Sequence, residues 1–198
     1  ELPWDLPWTD LTGLEVAADG RVWVCNSALF GVAEYNGTSW TLHGGNIAKF
    51  DDPAEDTNGN IWVRAGVGSG NSFWKFDGSA FTQFNSANTP IAPTTISALQ
   101  TDDEGTVYVG SFSGQVIRSS DAGETWSTLV IGNAAVRSIA PDPNSTDVWV
   151  TATADTNQVT NDGTIVRTLN TYNTGIPDNF ISGYALGPNG QFWLSSME

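Results

Sequence analysis

Five segments of the chain share one pattern that returns about every 40 residues, and this repeat constrains the fold more than any other feature. In each segment an apolar strand, a tight turn and a second strand follow one another, and the second strand carries an aromatic anchor between aliphatic residues. The anchors are Trp23, Trp62, Tyr108, Trp149 and Trp193, separated by 39, 46, 41 and 44 residues. This period is typical of a β-propeller blade. A β-sandwich gives turn signals at similar spacing but has no such long register.

A second anchor and a second turn place four strands in each unit. Trp40, Phe81, Trp126 and Val166 follow the first four anchors by 17 to 19 residues, and a turn precedes each of them. Their Asn-Gly and Asp-Gly pairs supply the positive φ that hairpin turns require. We therefore predict an all-β chain that forms a single β-propeller domain over residues 1–198, with about five four-stranded blades. The predicted units are residues 11–43, 47–85, 96–130, 136–170 and 181–198, the last joined by residues 1–8.

The two ends of the chain predict how the ring closes. The last unit has only two strands, and Trp4-Asp5-Leu6 resembles the fourth-strand segment Trp40-Thr41-Leu42. We expect the N-terminal segment to close the ring as the outer strand of the last blade, because closure removes open sheet edges. Three interpretations remain open: the chain is a fragment of a larger propeller, another copy completes the ring, or a five-bladed ring tolerates one incomplete blade.

Composition excludes several classes of partner. The chain has 22 acidic and 7 basic residues, a net charge of −15 and a pI near 4.1. Nucleic acid and anionic membranes both attract clustered Lys and Arg, so neither is expected as a partner. No stretch approaches the length of apolar sequence that spans a bilayer, so membrane insertion is not expected.

Cysteine and histidine are too few for a zinc site. Cys25 is the single cysteine, which excludes an internal disulfide, and His43 is the single histidine. We expect Cys25 to be a small strand residue and His43 to lie in a surface loop.

Residues 51–60 include a calcium-like Asp-x-Asn-Gly-Asn run, which begins at Asp56. The spacing of an EF-hand loop and its terminal Glu are absent. We expect a solvated turn over residues 51–60 and no cofactor, with calcium at this turn as the alternative.

Two resemblances to known families follow from the repeats. Residues 173–177 and 181–195 resemble the repeats of bacterial two-component regulator propellers and of streptogramin-lyase-type propellers, which include virginiamycin B lyase. Residues 119–126 are similar to the Asp-box of sialidase-type propellers, Ser-x-Asp-x-Gly-x-Thr-Trp. The second resemblance implies structural roles: Asp121, Gly123 and Thr125 shape a hairpin, and Trp126 packs between blades. We expect a bacterial, extracytoplasmic protein that is secreted, periplasmic or bound to the cell surface.

The sequence lacks a clear match to the catalytic residues that these resemblances imply. The resemblance to sialidases implies a clamp of three arginines, yet the five arginines here share no repeated register. The resemblance to streptogramin lyases implies a histidine base with a metal, and His43 has no matching partner. Paired carboxylates of a glycosidase type stay open as an alternative, because 22 acidic residues offer many pairs.

The variable loops are the expected place of function. Connections from second to third strands and from fourth to first strands lie on one face of a propeller, and here they are long and rich in Asn, Ser and Thr. We predict a non-enzymatic binding propeller that recognises a carbohydrate or a peptide. Its expected contact residues are Phe30, Asn71, Phe112, Asn157 and Tyr172. The alternatives are a hydrolase or lyase with a carboxylate site on this face, and a structural module of a larger sensor or surface protein, whose partners are neighbouring domains or another copy.

Overall fold

Antiparallel β-sheet dominates the structure, a computed structural model that describes residues 10–26, 30–66, 71–130, 132, 134–153, 155–175, 181–186 and 191–196. The eighteen strands in these ranges form four sheets of four strands and one sheet of two. In the same ranges no helix is long and apolar enough to pass through a lipid bilayer.

Each sheet is one blade whose strands pair in chain order. Blade 1 contains β1 (Leu11–Val16), β2 (Val22–Asn26), β3 (Val32–Tyr35) and β4 (Trp40–His43). Blade 2 contains β5 (Phe50–Glu55), β6 (Ile61–Ala65), β7 (Phe73–Phe76) and β8 (Phe81–Phe84). Blade 3 contains β9 (Ile96–Thr101), β10 (Val107–Ser111), β11 (Gln115–Ser119) and β12 (Ser127–Val130). Blade 4 contains β13 (Val136–Pro141), β14 (Val148–Ala152), β15 (Thr156–Val159) and β16 (Ile165–Leu169), and blade 5 contains β17 (Ile181–Leu186) and β18 (Phe192–Ser196).

The first strands of the blades lie side by side, in the order β1, β5, β9, β13 and β17. They are the inner strands of a β-propeller, so the predicted fold class is confirmed. The segment predicted to close the ring, residues 1–8, lies outside the described residues. Because consecutive strands are antiparallel, the connections between first and second and between third and fourth strands share one end of the blades, the hairpin face. The remaining connections share the opposite end, the loop face.

Apolar side chains fill the spaces between neighbouring blades, which supplies the main stabilisation of such an array. Each buried cluster joins the anchor of one blade to the first and second strands of the next: Trp23 with Phe50 and Ile61, Trp62 with Ile96 and Val107, and Tyr108 with Val136 and Val148.

A carboxylate at the first hairpin ties the anchor of the blade to the turn. The ties are Trp62 Nε1 to Asp56 Oδ2 at 2.8 Å, Tyr108 Oη to Asp102 Oδ2 at 3.2 Å, and Trp149 Nε1 to Asp142 Oδ2 at 3.2 Å. Each tie gives a partner to a polar atom that the inter-blade core would otherwise leave without one.

Blade 1 lacks this tie. Ala17 occupies the position of Asp56, since its N–H bonds Arg21 O at 2.8 Å just as that of Asp56 bonds Asn60 O at 3.0 Å. Trp23 Nε1 is consequently buried without a hydrogen-bond partner among the described residues.

Candidate functional site

An open cavity of about 430 Å³ lies at the centre of the propeller and is lined by β1, β5, β9 and β13. Side chains alternate along an inner strand between the two faces of its blade. The polar residues of the lining include Glu15, Asp52, Arg64, Ser97, Gln100 and Arg137. The cavity therefore presents charged and hydrogen-bonding groups from four blades to one shared volume.

The backbone of β5 is distorted where it meets the cavity. Asp52 has a φ of 48°, in the left-handed region, and the pairing of β5 with β6 shifts register between Asp51 and Ala54. On the adjacent strand β1, a Cβ at Gly13 would stand 2.5 Å from Pro53 Cδ and 2.9 Å from Asp52 N, so this approach requires glycine. Strained residues of this kind persist where the surrounding structure holds them, and they concentrate at functional sites.

An ion-pair cluster holds the bulge. Arg64 contacts Asp52 Oδ2 through Nε at 2.6 Å and Asp51 Oδ2 through Nη1 at 3.2 Å. Asp51 is buried. The prediction that these residues belong to a solvated turn is wrong, because the bulge keeps both carboxylates within a strand and turns them toward Arg64.

The single cysteine lies behind this cluster. Cys25 is buried in β2, and burial followed by the nearby charges of Asp51 and Asp52 raises the pKa of its thiol well above the usual value. The thiol is therefore protonated and a poor nucleophile at neutral pH. Its expected role as a small strand residue matches its place in the structure.

Glu15 contributes a carboxyl group to the wall of the cavity. Its pKa is raised, first by partial burial and second by the negative charge of Glu55. A carboxyl group in this environment holds its proton to higher pH than a solvated glutamate does.

Phe112 connects the loop face to the cavity. It follows β10, is 43% exposed, and lies under the guanidinium of Arg137, which is 5.4 Å from the ring centroid. Arg137 itself lines the cavity. An aromatic ring and a cation thus stand together beside the cavity.

The other expected contact residues are scattered. Phe30 and Asn71 are exposed in second-to-third connections, and Tyr172, which is 93% exposed, lies in the loop after β16. Asn157 was expected in a loop, and that placement is wrong: it lies in β15, is buried, and accepts a hydrogen bond from Thr168 Oγ1 at 2.7 Å. The pairing of β15 with β14 continues through Asn157, which draws it into the sheet. Ligand contact by these residues stays a prediction.

The hairpin at residues 119–126 is organised around one carboxylate. Asp121 accepts hydrogen bonds from Thr125 Oγ1 at 2.5 Å, Thr125 N at 2.8 Å and Ser119 Oγ at 2.7 Å, and these bonds lower its pKa to about 2. Gly123 has a φ of 91°, and a Cβ there would stand 2.9 Å from atoms of Phe84 and Trp62. A larger residue would clash at this point.

Trp126 completes this hairpin. Its Nε1 donates to Gly123 O at 3.2 Å, and its ring lies against three aromatic rings of blade 2: Trp62, Phe73 and Phe84, at 6.0, 5.2 and 5.7 Å between centroids. These contacts support the structural role implied for Asp121, Gly123, Thr125 and Trp126. The identification of the segment as an Asp-box stays a prediction from sequence.

The calcium-like run, residues 56–60, forms a turn. Asp56 accepts from Asn58 N at 2.9 Å, from Asn60 N at 3.1 Å and from Asn60 Nδ2 at 2.9 Å, in addition to Trp62 Nε1. The described part of the chain contains no group of three or more His, Cys, Asp or Glu residues placed to hold a metal.

His43 lies in a strand, so its predicted place in a surface loop is wrong. It belongs to β4 and packs 5.4 Å from Trp23 and 4.7 Å from Phe76, measured between ring centroids. Its Nε2 is 2.7 Å from Glu34 Oε2. The aromatic neighbours hold the ring, and β4 is the strand of blade 1 farthest from the axis.

Smaller clefts of about 260 to 350 Å³ open on the hairpin face beside Asp102 and Asp142. Those carboxylates already accept hydrogen bonds from backbone N–H groups of their turns and from Tyr108 and Trp149. We therefore take the central cavity as the candidate functional site.

Solved structures resemble this chain, although no family model and no curated protein matches it. A catalytically inactive histidine-to-alanine variant of virginiamycin B lyase from Staphylococcus aureus, with quinupristin, is similar at a TM-score of 0.78 and 14% identity, over 96% of this chain and 64% of that one. PorZ, a surface component of the type-IX secretion system of Porphyromonas gingivalis, is similar at 0.76 and 19% identity, over 94% and 31%. The extracellular domain assigned to a hybrid two-component system of Bacteroides thetaiotaomicron is similar at 0.74 and 18% identity, over 96% and 26%.

The chain spans less than two thirds of the lyase structure, and identities this low show the fold alone. The fold is a β-propeller of the repeat type that occurs in streptogramin B lyase and in the extracellular domains of two-component systems.

Proposed function

We propose that this chain is a non-enzymatic binding propeller that works outside the cytoplasm and takes a carbohydrate ligand at the central cavity from the loop face. The observation that carries the proposal is the wall of the cavity, where Ser97, Gln100 and Arg137 offer donors and acceptors close to the exposed ring of Phe112. Sugar hydroxyls need such mixed hydrogen-bonding partners, and an aromatic ring suits the apolar face of a sugar.

An unsatisfied hydroxyl group adds to this support. Ser97 Oγ is buried and has no hydrogen-bond partner among the described residues, although Ser97 is part of the cavity lining. Buried polar groups are normally paired, and unpaired ones are found where a ligand or a functional constraint intervenes.

Apart from Glu15, the ionisable groups of the site favour binding over acid–base chemistry. Asp51 and Asp52 are both engaged in ion pairs with Arg64, and Cys25 is buried and protonated. In the similar lyase, replacement of a histidine gives a catalytically inactive protein. The one histidine of this chain, His43, lies on the outermost strand of blade 1, away from the cavity.

An extracytoplasmic site of action is supported by the similar proteins. Two of them are described as an extracellular domain and as a component of the bacterial surface.

A glycan array and ligand-induced shifts in melting temperature test the proposal. Phe112→Ala should abolish the glycan signal and leave the melting temperature unchanged, because the ring is substantially exposed. Val166→Ala is the matched control, an exposed apolar residue on the outermost strand β16, and it should leave both measurements unchanged. Glycan binding that persists in Phe112→Ala, or binding to a peptide library instead of the array, would contradict the proposal.

One observation favours a second candidate, a hydrolase or lyase with a carboxylate site. Glu15 lines the cavity and has the raised pKa that a general acid needs. Turnover of chromogenic glycosides or of lactones that is lost in Glu15→Gln would establish this activity in place of simple binding.

A further inference from the structure

Each described first strand contains a β-bulge close to its start, at the loop-face end of the blade. In four blades the pairing with the second strand skips the second residue of the first strand, which is Thr12, Ser97, Arg137 or Ser182. In β5 the register shift falls one residue later and includes Asp52. All five residues are polar, whereas the first residue of each of these strands is apolar. One polar residue per blade therefore stands at a bulge, a feature that redirects side chains beside functional sites.

Three of these bulged residues share one cavity. Asp52, Ser97 and Arg137 come from blades 2, 3 and 4, and all three line the central cavity. The Oγ of Ser97 is buried without a hydrogen-bond partner among the described residues. The bulges therefore bring polar groups of three neighbouring blades to the site proposed for the ligand.

The lining of this cavity is more positive than the chain as a whole. It contains two arginines, Arg64 and Arg137, and two acidic residues, Glu15 and Asp52. In the whole chain, 22 acidic residues stand against 7 basic ones, which gives a net charge of −15. This local balance favours the cavity over the rest of the surface as a place for an anionic group.

The two arginines are held in different ways. Arg64 contacts Asp52 Oδ2 at 2.6 Å and Asp51 Oδ2 at 3.2 Å, so carboxylates of the protein already offset its charge. Arg137 is exposed, and its guanidinium carbon lies 5.4 Å from the ring centroid of Phe112. A guanidinium is a planar fork of N–H donors that matches the two oxygens of a carboxylate, and an aromatic ring beside it positions the fork. Arg137 is therefore the group of the cavity best suited to an anionic ligand.

We propose that the bulged residues select the ligand of the central cavity, and that Arg137 and Ser97 select an acidic sugar of the uronic-acid type. This inference rests on the proposed carbohydrate function and adds the class of sugar. Arg137 donates to the carboxylate of the sugar, and Ser97 Oγ bonds one of its hydroxyl groups. The carboxylate of Asp52, paired with Arg64, repels a second anionic group from its part of the cavity.

An array of glucuronate, galacturonate and mannuronate oligosaccharides, each beside its methyl ester, tests the requirement for charge. The ester keeps the sugar ring and its linkages but removes the negative charge. The wild type should bind at least one free acid about tenfold more tightly than its ester, because a hydrogen bond to a charged group is stronger than one to a neutral group. Neutral oligosaccharides on the same array test carbohydrate binding itself.

Three variants assign the preference to particular residues, and the melting temperature of each confirms that it is folded. Arg137→Gln should bind the free acid and the ester equally. Ser97→Ala should weaken the binding of both by a similar factor and keep the preference. Arg167→Gln is the matched control, because Arg167 lies on the outermost strand β16 with its guanidinium carbon 5.9 Å from the ring centroid of Trp149. It should keep both the affinity and the preference of the wild type.

The outcomes separate this inference from the proposed function. A preference for the free acid that persists in Arg137→Gln, unchanged binding in Ser97→Ala, or equal binding of acids and esters by the wild type would refute the selection by the bulged residues. Binding of neutral sugars alone would also refute it, and in each of these cases the proposed carbohydrate function stands. Absence of binding to every sugar on the array would overturn both proposals.

Discussion

The missing tie of blade 1 can be restored by one substitution, Ala17→Asp. Ala17 is buried and opens a turn whose Gly20 has a φ of 88°, close to the 78° of Gly59 in blade 2. A carboxylate at Ala17 should therefore reach the indole N–H of Trp23, as Asp56 reaches that of Trp62. We expect Ala17→Asp to stabilise the protein.

The magnitude follows from two opposing terms. A hydrogen bond to a charged group contributes about 1.5–3 kcal/mol, and it satisfies an N–H that is now buried without a partner. The new charge is opposed by Glu55, whose carboxylate accepts a hydrogen bond from Ala18 N at 2.6 Å. We expect a net gain of about 1 kcal/mol, which raises the melting temperature of a chain of this length by about 2–4 °C.

Thermal unfolding of a double-mutant cycle measures this coupling. The gain should disappear when Ala17→Asp is combined with Trp23→Phe, which removes the indole N–H. Ala17→Asn, a neutral acceptor, should keep part of the gain. If Ala17→Asp stabilises equally in the Trp23→Phe background, or destabilises the wild-type background, the assignment of the tie as the cause is refuted.

Three further predictions concern charged groups. Arg64→Met should lower the free energy of unfolding by about 3–5 kcal/mol, because it leaves the buried carboxylate of Asp51 without its cation. Denaturant unfolding measures this loss, and the double variant Arg64→Met with Asp51→Leu should recover much of the lost stability. Asp121 has a lowered pKa of about 2 in the folded state, so its contribution to stability is present above about pH 4 and is lost as the pH falls toward 2. The difference in melting temperature between the wild type and Asp121→Asn should shrink over that window, and a constant difference would contradict the assignment. Glu15 has a raised pKa in the folded state, so its contribution to stability is present below its usual pKa of 4.5 and is lost as the pH rises through the folded-state pKa. The melting temperature of the wild type should fall relative to that of Glu15→Gln over that rise, and parallel pH profiles would contradict this.

The repeat made the blades predictable from sequence. Anchors such as Trp62 recur at a fixed distance from their turns, and each turn depends on a local requirement for positive φ at residues such as Gly59. Local signals of this kind need no knowledge of the rest of the fold. The anchors of the first four blades are accordingly buried between blades or within them.

The candidate site was less predictable, because it depends on which side chains face the axis. Arg64 and Arg137 share no register, since one is on a second strand and the other on a first strand, yet both line the cavity. The bulge at Asp52 reverses the alternation that a sequence pattern assumes, so the two aspartates resembled part of a turn. A bulge arises from tertiary contacts, here with Gly13 and Arg64, and leaves no local signature.

The indole N–H of Trp23, which has no hydrogen-bond partner among the described residues, bears on the order in which the blades unfold. An array in which each repeat touches only its neighbours unravels from the unit with the weakest nearest-neighbour coupling. Blade 1 has one packed neighbour and no carboxylate bridge from its first hairpin to its anchor, so it is the least cooperative foldon of the described blades with four strands. Amide protons of β2 and β3 should then exchange through local openings, while those of β6 and β10 exchange only when the whole array is lost.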